Sequence, residues 1–185
     1  MKRVAPIMII VIGTLSAACA FAQSNLSLRA VGVSAAFVNA ENLDGTFGLG
    51  VFADMGQITP QIRLEPSIEY WSKSEESFGA KASLSDLAIG ARGKYYFEVT
   101  SPKIHPYAGA GLGLHFLHAE SSVSMPGYPT FSADASDTKL GLDIGGGMET
   151  ALSPKHDFRA EAWYGIVSDA SQFSLRVGVS QKLGL

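Results

Sequence analysis

The chain has 185 residues, of which 14 are basic and 17 acidic, giving a net charge of −3 at neutral pH, and 46% of it is hydrophobic. That balance excludes a nucleic-acid partner, which needs a basic face. The single cysteine, Cys19, excludes a disulfide framework.

Residues 1–22 read as a secretory signal peptide. Lys2 and Arg3 supply the positive start, Ile7 to Leu15 the apolar run, and Ala20-Phe21-Ala22 the small-residue cleavage site. The apolar run is too short to cross a bilayer as a helix. Lipidation of Cys19 is the rival reading, but that signal wants a large aliphatic residue three positions earlier, where Ser16 stands. Removing Lys2 and Arg3 from the 14 basic residues leaves 12 against 17 acidic ones, a net −5 for the expected domain of residues 23–185.

From there the pattern has period two, the signature of strands. The expected strands are Leu28–Asn39, Thr46–Met55, Ile58–Trp71, Leu84–Phe97, Pro106–His118, Thr138–Thr150, Asp157–Ile166 and Phe173–Leu185. In the first, Val31, Val33 and Phe37 share a parity with Arg29, whose long side chain can reach headgroups. In the second, Phe47, Leu49, Val51 and Met55 oppose Thr46, Gly48, Gly50 and Asp54. The third alternates most cleanly, with Ile58, Pro60, Ile62, Leu64, Pro66, Ile68 and Tyr70 against Thr59, Gln61, Arg63, Glu65, Ser67 and Glu69. The fourth sets Leu87, Ile89, Ala91, Tyr95 and Phe97 against Asp86, Arg92 and Lys94. The fifth carries Gly109, Gly111 and Gly113 on its polar parity, and the sixth carries Gly141, Gly145 and Gly147 beside Lys139, Asp143 and Glu149. The seventh opposes Phe158, Ala160, Ala162, Tyr164 and Ile166 to Arg159, Glu161 and Trp163, and the eighth opposes Phe173, Leu175, Val177 and Val179 to Ser174, Arg176 and Ser180.

The connections fall into two sets. Gly56-Gln57, Glu98–His105 and Ala151–His156 are the expected turns of one end. Ala40–Gly45, Ser72–Ser83, Ala119–Asp137 and Val167–Gln172 are the expected loops of the other. Short periplasmic turns and longer outer loops belong to transmembrane β-barrels. Aromatics gather near both strand ends: Phe37, Phe47, Tyr70, Trp71, Phe116, Tyr164 and Phe173 by the loops, and Tyr95, Phe97, Tyr107 and Phe158 by the turns. Two such belts mark two membrane interfaces. The apolar parity therefore faces lipid and the charged parity faces inward. Eight strands close around a lumen just wide enough for side chains. Arg63, Glu65, Glu69, Arg92, Lys94, Asp143, Glu149, Arg159, Glu161 and Arg176 are expected to fill it as a mixed-sign charge network, with glycines making room.

The expected fold is an all-β, eight-stranded antiparallel transmembrane up-and-down barrel. The leader, the eight alternating segments and the terminal Val177-Gly178-Val179-Ser180-Gln181-Lys182-Leu183-Gly184-Leu185 resemble small outer-membrane β-barrel proteins of the OmpA/OmpX type. The resemblance implies residence in the cell outer membrane, contact with its lipid and lipopolysaccharide, and insertion by the barrel-assembly machinery. Members usually end in an aromatic residue, where this chain has Leu185.

No cofactor, metal or catalytic residue is expected. Gly109-Ala110-Gly111-Leu112-Gly113 lacks the spacing of a nucleotide loop. His105, His115, His118 and His156 do not make a zinc set, since the close pair falls on opposite faces. Some barrels of this size are enzymes acting on lipid A through a lipid-facing Ser–His–acid set; His118 is available for one, with no serine or carboxylate expected beside it. The expected function is a non-enzymatic role in envelope integrity or surface interaction through the loops, including Met125, Tyr128 and Phe131. The alternatives are a narrow conduit for small or apolar solutes and a lipid A-modifying enzyme.

Overall fold

The computed structural model describes residues 25–41, 43–77, 80–100, 103–124, 131–168 and 170–184. The expected signal peptide with Cys19, Met125, Tyr128 and Leu185 lie outside the described residues. Eight strands run in chain order: β1 (Asn25–Ala40), β2 (Thr46–Thr59), β3 (Ile62–Ser77), β4 (Ala80–Tyr96), β5 (Ile104–Val123), β6 (Phe131–Ser153), β7 (His156–Val167) and β8 (Gln172–Lys182). Each pairs with the next, and β1 pairs antiparallel with β8 in unbroken register from Ala30↔Lys182 to Ala40↔Gln172, closing the barrel. Closure gives the main strands partners on both sides, as a bilayer demands.

Alternation sets the faces. Val33, Leu49, Val51, Ile68, Ile89, Leu112, Leu142, Ile144, Leu175 and Val177 are exposed on the outside, while Glu65, Arg92, Lys94, Asp143, Arg159, Glu161 and Arg176 are buried inside. This is the polarity of a membrane barrel, apolar out and charged in.

Four expectations are corrected. Gly56-Gln57 is not a turn: β2 continues to Thr59 and the chain reverses at Pro60-Gln61. Gly56 takes a left-handed φ of 79° and sits in a bulge of the β2–β3 register, with its N–H held by Asp54 Oδ1 at 2.8 Å. Pro60 has no N–H to give a ladder, so it lies in the turn. The long loops are mostly strand, because pairing continues to Ser77↔Ala80 and Val123↔Phe131. Trp71 and Tyr107 are not belt residues; both are buried inside, on the parities of Glu69 and Gly109. Finally, β8 ends at Lys182 rather than Leu185, and Leu183 N–H bonds the Arg29 carbonyl instead.

The barrel has unequal heights. β2 meets β3 no higher than Gly48↔Trp71, and β7 meets β6 no higher than Gly141↔Val167. β3 to β6 continue as a four-stranded sheet standing above the outer rim. Its outer face is polar, and its inner face mixes small and apolar residues with charged ones. Outward positions are Ser72, Ser74, Glu76, Lys81, Ser83, Ser85, His118, Glu120, Ser122, Ser132, Asp134, Ser136 and Thr138. Positions facing the mouth include Ala80, Ala82, Leu84, Leu117, Ala119, Val123, Phe131, Ala133 and Ala135, together with the charged Lys73, Glu75, Asp137 and Lys139. The change on the outer face puts the membrane boundary just above Tyr70, Leu87 and Phe116, the last large apolar residues exposed on the outer face of β3, β4 and β5.

Candidate functional site

The lumen is filled in layers. Nearest the turn end, Arg63 pairs with Asp54 at 3.5 Å and stacks on Tyr96, whose hydroxyl donates to Glu149 at 3.3 Å. Lys182 pairs with Asp157 at 2.8 Å. These groups line a cavity of about 480 Å³ that includes His105 and Phe52. Glu149 therefore meets a phenol here, because Arg63 is turned toward Asp54.

Above it, Lys94 Nζ lies 2.8 Å from Glu65 and 2.6 Å from Glu161. Arg159 pairs with Glu65, stands over the Phe52 ring and approaches Glu161 at 3.6 Å. The Tyr107 hydroxyl donates to Glu161. In the next layer Arg92 bridges Glu69 at 2.6 Å and Asp143 at 2.8 Å. Arg176 pairs with the same Glu69 and donates to Ser174 Oγ at 2.9 Å. The Trp163 indole sits between these layers, with Arg92 4.8 Å and Lys94 6.0 Å from its ring centre. Glycines make the space: a methyl group at Gly111 would stand 2.6 Å from Arg92 Cγ, and one at Gly109 3.0 Å from the Trp163 ring.

A pair outside the expected network comes next. His115 Nδ1 lies 2.7 Å from Asp86, both side chains buried. Val38, Ala40 and Trp71 then form an apolar cluster with Ala36, Leu43 and Leu84 packed against it. The lumen thus opens toward the turn end and is capped by apolar side chains toward the loop end. Asp86 was legible from its parity, as Tyr107 was from that of Gly109. The partner of each was not.

One set lies outside the lumen altogether. His118 Nδ1 is 2.9 Å from Ser136 Oγ, and His118 Nε2 is 3.1 Å from Glu120 Oε1. The expectation that His118 lacks a serine and a carboxylate on its face is corrected. Both residues lay in a stretch read as loop, and the extended β5–β6 pairing carries them onto the same face. Among the described residues no three potential ligands form a metal cluster.

The family model for "Outer membrane protein beta-barrel domain" matches residues 7–182. The chain belongs to that family. It is therefore a protein of the cell outer membrane. Nothing among curated protein sequences matches it. Among solved structures, Neisserial surface protein A is similar over 86% of this chain and 100% of its own, with 23% identity and a TM-score of 0.67. Ail, the attachment invasion locus protein of Yersinia pestis, is similar over 84% and 97%, at 15% identity and TM-score 0.55. The outer membrane enzyme PagL is similar over 82% and 99%, at 18% identity and TM-score 0.50. At these identities the likeness is one of fold, and the fold hosts both enzymes and proteins without a catalytic role.

Proposed function

We propose that this barrel is a surface-interaction protein, with the membrane-embedded part serving as a rigid mount for the sheet that stands above it. The observation that carries this reading is the β3–β6 extension that pairing carries above the membrane rim, polar on its outer face. Its inner face carries an apolar patch of Leu84, Leu117, Val123 and Phe131, and among the described residues its two edges have no neighbouring strand. Such edges accept an extended segment of another chain by main-chain pairing. A role in solute passage has the apolar cap and the filled lumen against it.

The reading is tested by trimming the extension, joining Trp71 to Asp86 and Phe116 to Thr138 with short turns. Cells displaying the full and the trimmed barrel are compared for adhesion to immobilised extracellular-matrix and serum proteins. The full barrel should adhere and the trimmed one should not. Equal adhesion sinks the proposal. If the trimmed barrel also restores detergent resistance to a deletion strain, envelope integrity becomes the better reading. Planar bilayers separate the conduit alternative: a large steady conductance of the intact barrel would put it first.

A further inference from the structure

His118 of β5 and Ser136 of β6 are cross-strand partners. Thr138 directs its N–H to Asp137 Oδ1, while the His118 carbonyl accepts from Ser85 Oγ on the β4 side. Even-numbered residues of β5 and β6 therefore turn their backbone groups away from each other. His118 and Ser136 form a non-hydrogen-bonded pair, the kind whose side chains stand closest in an antiparallel ladder. Glu120, two residues along β5, shares their face.

The chemistry of the three groups fixes their roles. An ionised carboxylate only accepts, so Glu120 at 3.1 Å keeps the imidazole proton on Nε2. Nδ1 is then a bare lone pair, and Ser136 Oγ at 2.9 Å donates to it. This is a nucleophile hydrogen-bonded to a base that is oriented by an acid. Ser136 N–H lies on the same side as that of Thr138, along the β6 edge that β7 has already left at Val167. That donor stands beside the nucleophile, where an oxyanion would develop.

The position selects the substrate. The row beneath contains Tyr70, Leu87 and Phe116, exposed toward lipid. Two residues of strand rise separate the rows, roughly 7 Å. The hydroxyl therefore stands where acyl chains give way to headgroups, which is the level of lipid ester bonds.

We infer that Ser136, His118 and Glu120 form a hydrolytic site for the acyl esters of membrane lipids. Ser136 Oγ attacks the ester carbonyl carbon and passes its proton to His118 Nδ1. The carbonyl electron pair moves to oxygen and returns as the bond to the alcohol breaks. His118 gives its proton to that alcohol, leaving an acyl group on Ser136. Water, deprotonated by His118, then attacks the acyl carbon and releases the fatty acid, and the proton returns to Ser136. One ester and one water yield one acid and one alcohol.

The site uses the outer face of the sheet and is independent of the surface-binding reading. The test uses the full barrel folded into phosphatidylethanolamine–phosphatidylglycerol vesicles, with or without lipopolysaccharide, and confirmed as folded by heat-modifiable mobility. Free fatty acid is measured by mass spectrometry, and a long-chain alkyl fluorophosphonate reports the nucleophile. The wild type should release fatty acid and carry the label on Ser136. Ser136→Ala should abolish both, and His118→Gln should slow release by about 10²–10⁴-fold. Glu120→Gln should slow it by about tenfold or more, through loss of the base's orientation. Ser122→Ala, on the same face, should behave as wild type. Release only with lipopolysaccharide assigns the ester to that lipid, and release without it assigns it to phospholipid. A folded wild type that neither releases fatty acid nor labels above Ser136→Ala overturns the inference.

Discussion

Replacing Lys94 by Met tests whether the barrel is held by its interior charges. The Lys94 side chain is 1% exposed and lies between Glu65 and Glu161. Together with Arg159 these make a neutral group of two cations and two anions. Lys94→Met keeps most of the volume but leaves two buried carboxylates sharing one guanidinium. Breaking a buried pair from one side costs about 3–5 kcal/mol. For a urea dependence of about 2 kcal/mol per molar, the unfolding midpoint should fall by roughly 2 M. The pair Lys73–Glu75, 3.8 Å apart and half-exposed, is the control, and Lys73→Met should lose about 1 kcal/mol at most. Adding Glu161→Gln to Lys94→Met restores neutrality, so the double variant should be less destabilised than the sum of the singles by ~0.5–3 kcal/mol. Barrels refolded into phosphatidylcholine vesicles and titrated with urea give all five midpoints, those of the wild type and Glu161→Gln included, by gel mobility. If Lys94→Met and Lys73→Met unfold at the same urea concentration, the interior network is not what stabilises the fold.

Three further outcomes follow from the two faces and from the tight packing between them. Leu142→Arg places a charge on the lipid side and should cost about 2–4 kcal/mol if it sits at the midplane, read from refolding yield into vesicles; an unchanged yield would reverse the face assignment. Both native tryptophans, Trp71 and Trp163, are buried in the lumen, so brominated acyl chains should leave their fluorescence nearly intact yet quench a Tyr164→Trp reporter strongly. Equal quenching would place the indoles outside. Gly111→Ala should lower stability by about 1–3 kcal/mol, because its methyl would stand 2.6 Å from the Ala91 carbonyl, whereas Gly113→Ala meets nothing nearer than 3.5 Å and should be tolerated. Matching melting curves for the two would remove the packing rationale.

Alternation carried much of this into the sequence. It separated Leu142 from Asp143 and Ile68 from Glu69, because a strand has only two faces and lipid admits one polarity. It also held the answer for Trp71 and Tyr107, whose parity points inward, but the habit of aromatics to line interfaces outweighed it. The Tyr107 hydroxyl has a reason to be inside, since Glu161 accepts from it. Gly56 reads as a turn from its residue type alone and proves to be a bulge, which only the register of β2 against β3 distinguishes. Pairings across the lumen were not legible, since Arg92 meets Asp143 from 51 residues away and no local pattern encodes that distance. Ser136 and Glu120 escaped for another reason. Their strands are built from Ala, Ser and Asp, residues with little preference for extended structure, and pairing with neighbours imposes it.

The interior contacts also have a bearing on how the cylinder comes to be sealed. Arg159 and Glu65 stand 94 residues apart in sequence, and Arg176 and Glu69 stand 107 apart. Each pair joins the last two strands to the third across the hollow, so neither exists while the sheet is still an open ribbon. A half-built ribbon leaves Glu65 and Glu69 with only their β4 partners Lys94 and Arg92 and leaves Arg176 without Glu69, and an incompletely paired charge is disfavoured in hydrocarbon. Sealing the β1–β8 seam brings both pairs within reach together. Insertion and seam formation are thereby tied to one event, and the finished cylinder reopens only by giving up both cross-lumen pairs at once.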